Sequence, residues 1–227
     1  MTEYGGSSGG GWPGGPPRRP RRLEKYHWLK AAWELPLTLL LLVTLLPFGL
    51  LLALLIRLAS PGPVIYRARR IGRQGRTIFV LKFRTMFVNA DQVLEALLDE
   101  NPELKREWLR QFKLENDPRI TPLGKLLRRT SLDELPQLWN VLRGDMALVG
   151  PRPIVEQERD LYGEHLADLM AVKPGMTGLW QVSGRSNTTY ARRVALDMRY
   201  IDHWSPCLDV AILFKTFGVV LKGTGAR

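Results

Sequence analysis

From Leu35 to Ile56 the chain carries no charged residue and is dominated by leucine. A bilayer core takes roughly 20 apolar helical residues to cross, so the run is long enough to span one. Pro47, followed by Gly49, sits near its middle, where a proline removes a backbone donor and kinks a helix. Both flanks are basic: Arg18 to Lys30 on one side, and Arg57, Arg67, Arg69, Arg70, Arg73 and Arg76 on the other, with no acid between Glu34 and Asp91. Basic flanks favour the cytoplasmic face, and a straight span would export one of them. The pattern therefore predicts a re-entrant helix that bends at Pro47 and leaves by the face it entered, with a kinked span as the alternative. The core helix of a soluble protein does not fit so long a leucine run.

Downstream, Val64 to Tyr66 and Thr77 to Phe83 read as strands with Gly72 and Gly75 in the intervening turn, a basic hairpin. Between Ala90 and Leu114 the apolar positions Val93, Leu94, Leu97, Leu98, Leu104 and Leu109 recur at helical spacing, interrupted at Asn101-Pro102, which predicts two amphipathic helices. Leu208 to Leu221 is apolar except for Asp209, Lys215 and Thr216. It is too short to cross a bilayer, and reads either as a packed core helix or as one lying in the interface. The fold class is α+β and mainly helical. Three segments are expected: a disordered Gly/Pro-rich basic tail (1–22), a membrane-anchoring helix (23–59) and a catalytic domain (60–227).

Composition narrows the partners. The 227 residues are 45% hydrophobic with a formal charge of +11, which calls for anionic partners: nucleic acid, lipid headgroups or a phosphorylated substrate. A single cysteine, Cys207, excludes an intrachain disulfide or a multi-cysteine zinc site. His27, His165 and His203 are scattered, with no ligand or triad spacing.

The chemistry concentrates in Arg128-Arg129-Thr130-Ser131-Leu132-Asp133-Glu134-Leu135-Pro136-Gln137. Ser131 followed three residues on by Glu134 reads as a capping box, which puts Asp133 and Glu134 in a first helical turn. There the helix dipole would keep a carboxylate's pKa low. Acids in a first turn are ordinary capping; their company is not. Pro151 and Pro153 fix the backbone around Arg152, which suits bidentate phosphate binding. Lys82-Phe83-Arg84 leaves the hairpin, and Asp117-Pro118-Arg119 and Arg128 precede the acids. Two adjacent carboxylates able to hold Mg2+, with a cationic clamp, form a set of parts for phosphoryl transfer.

The run Thr130 to Pro153, TSLDELPQLWNVLRGDMALVGPRP, resembles the signature of the bacterial sugar transferases, the small monotopic phosphoglycosyl transferases. The likeness extends to Ser60-Pro61-Gly62-Pro63-Val64, Lys82-Phe83-Arg84-Thr85-Met86, Asp117-Pro118-Arg119-Ile120-Thr121 and Lys173-Pro174-Gly175-Met176-Thr177-Gly178. It covers roughly Leu35 to the C-terminus. The resemblance implies Asp133 as nucleophile on the sugar-bearing phosphate of a UDP-sugar, with UMP released, and an aspartyl phosphosugar that passes to undecaprenyl phosphate. It makes Glu134, with Asp133, the holder of Mg2+, and Arg152 the phosphate-binding arginine. Lys82, Arg84 and Arg128 become further phosphate-side cations, and Gln181 and Arg185 lie on the donor side. Trp180 is expected to pack rather than to stack on a ligand.

The stretch Ser183 to Asp197 resembles the branch that loads galactose- or glucose-1-phosphate, and an N-acetylated sugar is the alternative. Larger members of that branch carry additional N-terminal segments, so this chain reads as the bare catalytic unit. Where many members place Ser-Pro at the membrane bend, this chain has Leu46-Pro47. Membrane lipids and a homodimer partner are also expected, nucleic acid is not, and the catalytic domain is expected on the cytoplasmic side of the bacterial inner membrane. Two other readings remain: a glycosyltransferase that releases UDP, and a basic membrane adaptor with no activity.

Overall fold

The computed structural model describes residues 20–111, 114, 117–184 and 189–222. The first element, α1 (Pro20–Ala59), is a single 40-residue helix with Pro36 and Pro47 inside it. Pro47 therefore does not end the helix. The expected tail lies outside the described residues up to position 19, and its last three residues, Pro20 to Arg22, open α1 instead. Proline suits that first helical position, where its missing N–H would go unpaired anyway.

One stripe of α1, comprising Tyr26, Lys30, Glu34, Thr38, Leu52, Ile56 and Ser60 just past its end, is buried. It faces the rest of the protein along the whole helix. Trp33, Leu37, Leu41, Leu42 and Leu45 pack on a core of Ala68, Val80, Leu138, Val141, Val149 and Ile212, while Leu52 and Ile56 join Phe83 and Leu127 in a second core. The opposite stripe, Leu39, Leu40, Val43, Leu46, Leu50, Leu51, Leu54 and Leu58, is exposed. The helix is long and apolar enough to cross a membrane between Tyr26 and Ala59.

Three polar side chains in the buried stripe are fully engaged. Lys30 Nζ lies 2.8 Å from Glu34 and 2.7 Å from Asp209. It also donates to the Tyr200 hydroxyl at 3.1 Å, and Trp204 Nε1 donates to Asp209 at 2.8 Å. Tyr200 in turn donates to Asp209 at 2.7 Å, and the Val149 amide donates to Glu34 at 3.2 Å. Thr38 donates to the Glu34 carbonyl at 2.6 Å. This knot fastens α1 to the far end of the chain.

The hairpin forms as expected but is longer in its first strand. β1 (Ile65–Ile71) pairs antiparallel with β2 (Thr77–Phe83), Tyr66 opposite Lys82 and Arg70 opposite Ile78. The turn is a single 3-10 turn at Arg73–Gly75. The two amphipathic helices also appear: α2 (Ala90–Glu100) and α3 (Pro102–Gln111), with Asn101 between them. No residue of α2 is buried, so this helix stands off the core.

After α4 (Pro122–Thr130) and α5 (Gln137–Leu142), β3 (Ala147–Val149) runs parallel to β4 (Gly175–Thr177). Between those strands lie the short helices α6 (Arg159–Tyr162) and α7 (Leu166–Ala171). The chain ends in α8 (Leu179–Val182), α9 (Tyr190–His203) and α10 (Pro206–Lys222). Helix α10 packs against the core by one face and leaves the other open. Asp209 and Ile212 are buried in the core, while Val210, Phe214 and Phe217 are exposed.

Candidate active site

The Asp-Glu pair lies in a lone 3-10 turn and not in the first turn of an α-helix. Ser131 is left-handed (φ 57°) and terminates α4, its side chain caps nothing, and Leu132–Glu134 forms one 3-10 turn before α5 begins at Gln137. The capping-box expectation is corrected on this point. Arg128 and Arg129 belong to the helix that ends here, so Ser131 closes that helix and also opens the short 3-10 turn, without a side-chain cap.

The electrostatic expectation reverses with it, because a three-residue turn has no macrodipole to offer. Asp133 is 8% exposed. Burial raises its pKa, Lys82 and Arg128 pull it back, and neighbouring Glu134 adds to the rise. The carboxylate is thus desolvated, which leaves it less solvated and more reactive than a surface acid.

Lys82 reaches this turn from β2. Its ammonium lies 2.7 Å from Glu134 Oε1 and 3.8 Å from Asp133 Oδ2. The strand is steadied by Asn140 of α5, which accepts from the Leu81 amide at 2.9 Å and donates to the Phe79 carbonyl at 2.8 Å. An amide side chain here completes the strand edge as another strand would. From the other side Arg128 donates through Nε to Thr85 at 2.9 Å. Burial lowers the Arg128 pKa, and Asp133 and then Asp117 offset that loss. Arg128 is therefore electrostatically coupled to Asp133.

Arg152 enters on the loop after β3. The Ile71 amide donates to the Ile154 carbonyl at 2.9 Å, which ties that loop to the end of β1. Burial lowers the Arg152 pKa, Arg193 and Arg70 lower it further, and Glu134 and Glu158 work the other way. It sits in a crowded hollow yet keeps solvent access. Among the described residues its guanidinium meets only the face of Trp180, at 5.5 Å. Its fork of donors is unspent.

Beneath that loop, backbones touch directly. Gly150 N donates to the Thr177 carbonyl and Gly175 N to the Pro151 carbonyl, both at 2.8 Å. A Cβ on Gly175 would fall on the Gly150 amide nitrogen, and one on Gly178 would fall on the Gly150 carbonyl. Only hydrogen fits in this seam.

The structure thus brings together Lys82, Arg128, Asp133, Glu134 and Arg152, and separates the other sequence candidates from them. Arg84 is turned toward the carbonyls of Ser60 and Pro61, at the end of α1. Arg119 spends its fork on Asp117 at 2.8 and 2.7 Å. Gln181 is held in α8 with its Oε1 buried and unbonded among the described residues. Arg185 lies outside the described residues. Trp180 lies against the guanidiniums of Arg152 and Arg193.

Sequence reading missed Arg70 and Arg193. Arg70 alternates onto the face of the hairpin that carries Lys82, a signal present in the strand period. Arg193 had no such signal. Among the described residues, no third acid, histidine or cysteine joins Asp133 and Glu134 in a metal-binding group.

A sequence model of bacterial sugar transferases matches residues 25–223. The chain belongs to the bacterial sugar transferase family. It is 50% identical over 200 residues to a UDP-galactose-lipid carrier transferase of Erwinia amylovora, covering 88% of this chain and 42% of that protein. It is 46% identical over 200 residues to an undecaprenyl-phosphate galactose phosphotransferase of Salmonella typhimurium, with the same two shares of 88% and 42%. An exopolysaccharide production protein, ExoY, of Sinorhizobium fredii is 44% identical over 197 residues, 87% of each chain. The chain therefore spans less than half of the first two family members and most of the third.

Proposed function

We propose that the chain transfers hexose-1-phosphate, galactose or glucose, from a UDP-sugar to undecaprenyl phosphate, by way of a phosphosugar bonded to Asp133. The observation that carries this reading is the buried Asp133 carboxylate, set between Lys82 and Arg128 with the free fork of Arg152 nearby. In the first displacement an Asp133 oxygen forms a bond to the sugar-bearing phosphorus, and the bond from that phosphorus to the bridging oxygen breaks, the oxygen leaving with the electron pair as part of UMP. In the second, an oxygen of undecaprenyl phosphate bonds to the same phosphorus, and the Asp133 carboxylate is released. Neither step needs a net proton. What both need is relief of charge, because an anion attacks an anion. Arg152 receives the spare phosphate oxygens, while Lys82 and Arg128 hold the carboxylate pair in place.

Asp133 and Glu134 suit Mg2+, which is commonly held by one or two carboxylates together with substrate phosphates. Both already converge on one cation, the Lys82 ammonium. Bound there, the ion would neutralise the diphosphate and steady the leaving oxygen.

For membrane placement, the reading is a re-entrant α1 with the catalytic domain on the cytoplasmic side. Its support is the buried stripe that faces the protein from Tyr26 to Ser60, since a helix that crossed alone would leave the body behind. The unburied α2 and the exposed Phe214 and Phe217 fit an interfacial position. Labelling of single cysteines placed at Gly5 and at Gln74 in a Cys207→Ser background, in intact cells, tests this: re-entrant geometry leaves both shielded from an external reagent, and labelling of either one indicates a span.

The decisive test of the chemistry is intact-protein mass spectrometry after mixing with UDP-galactose or UDP-glucose and Mg2+, without lipid acceptor. A hexose-phosphate mass on the peptide containing Asp133, with UMP in solution, is the expected result. Release of UDP would replace this mechanism with transfer of the sugar alone.

A further inference from the structure

Arg193 lies on α9, and nothing in the proposed chemistry uses it. It is 6% exposed, and an arginine so deeply buried needs its charge answered. The answer comes from one side: Nη1 bonds Glu158 at 2.9 Å, and Nε stands 4.0 Å from Asp197. Asp197 is itself held by the Tyr162 hydroxyl at 2.8 Å. Burial opposes the Arg193 charge, but the oxygens of Tyr162, Glu158, Tyr190 and Asp197 more than offset it.

Its open side lies against aromatic faces. The guanidinium sits 5.0 Å from the Trp180 ring centroid and 4.9 Å from that of Tyr190. The Trp180 ring is therefore shared by two guanidiniums, Arg193 at 5.0 Å and Arg152 at 5.5 Å. A ring face attracts a cation, and sharing one between two cations brings like charges together. Arg193 can bear that because Glu158 and Asp197 flank it on one side. Arg152 makes no ion pair among the described residues, and Glu134 and Glu158 act on it only from beyond ion-pair distance, so the repulsion falls on the arginine whose fork is free. An incoming anion would relieve it.

We propose that Arg193 and Trp180 are positioning residues for Arg152. The anchored Arg193 fixes the indole, the indole fixes the plane of the Arg152 guanidinium, and the like-charge contact primes that fork for a diphosphate. This rests on the transfer reading above and deepens it, since the ligand class of the stack is the donor's phosphate rather than its sugar or base.

The test is a double-mutant cycle in single-turnover loading of Asp133 by UDP-galactose, comparing the half-saturating donor concentration with the maximal loading rate. Trp180→Leu raises the half-saturating concentration about tenfold, the scale of a desolvated cation–π contact, and Trp180→Phe restores most of the loss. In an Arg152→Ala background Trp180→Leu adds nothing further, because there is no fork left to position. Should the Leu variant fail to fold, Arg193→Lys, which keeps the charge and loses the planar group, gives the same non-additivity. A full, additive loss in both backgrounds overturns the stack and leaves the transfer reading standing. Normal loading by Arg152→Ala alone would also overturn the stack, since the fork it positions would be idle, whereas failure of the parent protein to load Asp133 at all would sink the transfer reading itself.

Discussion

Two groups of charges in this protein use similar side chains to opposite ends. At the foot of α1, Lys30, Glu34 and Asp209 are buried with Tyr200 and Trp204, and each of the charged groups has partners at hydrogen-bond distance. At the end of β2, Lys82, Asp133, Glu134, Arg128 and Arg152 also mix acids with bases, but the pairing is incomplete. Asp133 is 3.8 Å from its nearest ammonium, and Arg152 makes no hydrogen bond among the described residues. Closed pairing holds an element in place, because removing one partner strands another buried charge. Open pairing leaves energy to be gained only when a substrate arrives, which is where binding energy can serve a transition state. The difference lies in what remains unsatisfied rather than in composition.

That contrast can be broken in order of effect. Asp133→Asn is expected to lower loading by at least about a thousandfold while the thermal unfolding temperature in detergent stays near the parent's, as suits a nucleophile with an incomplete set of partners. Lys30→Met should do the reverse, costing about 3–5 kcal/mol of stability by stranding Glu34 and Asp209, with the turnover of the folded fraction unchanged. If Lys30→Met lost turnover instead of stability, the division of labour between the two clusters would be wrong. Arg152→Lys should fall about ten- to a hundredfold in kcat/KM, since an ammonium cannot present a bidentate fork.

Two pH experiments sharpen the comparison further. Lys82 lowers the raised pKa of Asp133, so Lys82→Met should move the acid limb of the loading-rate profile to higher pH, on top of any loss in maximal rate. Asp197 has its pKa pushed up to about 6, with burial as the chief cause. A carboxyl raised in the folded state favours its protonated form, so that contribution is complete below the ordinary carboxylate range. It is lost as pH rises through about 6. Asp197→Asn should therefore flatten the part of the stability profile between about 4 and 6 that the parent shows. A parent-minus-variant difference that is constant with pH would remove Asp197 from that role.

Much of this arrangement was legible in the chain. A leucine run without charge marks α1 by itself, Asn101-Pro102 breaks the α2–α3 pair where it is observed, and alternation plus two glycines gives the hairpin. The Asp-Glu pair and Arg152 stood out because rare local sequences, a proline-locked arginine and adjacent acids, carry their own geometry. The local setting of Asp133 was misread. Ser-x-x-Glu is equally at home at the end of one helix and before a turn, and only the tertiary path decides which. Whether an arginine spends its fork at home is likewise invisible in sequence: Arg84 and Arg119 do, on neighbouring loop atoms, while Arg152 does not. Arg193 depends on a fold that brings α9 against Trp180 from a different part of the chain.

The glycine seam under the Arg152 loop has a consequence for how such an enzyme could change its preferences. Where main chain rests on main chain, no side chain is present to be exchanged for a larger or smaller one. On the proposed reading, the phosphate end of the donor is thus locked into the scaffold. New sugar preferences would have to arise elsewhere, from surfaces built of side chains that can be replaced one at a time, leaving the reaction itself unaltered.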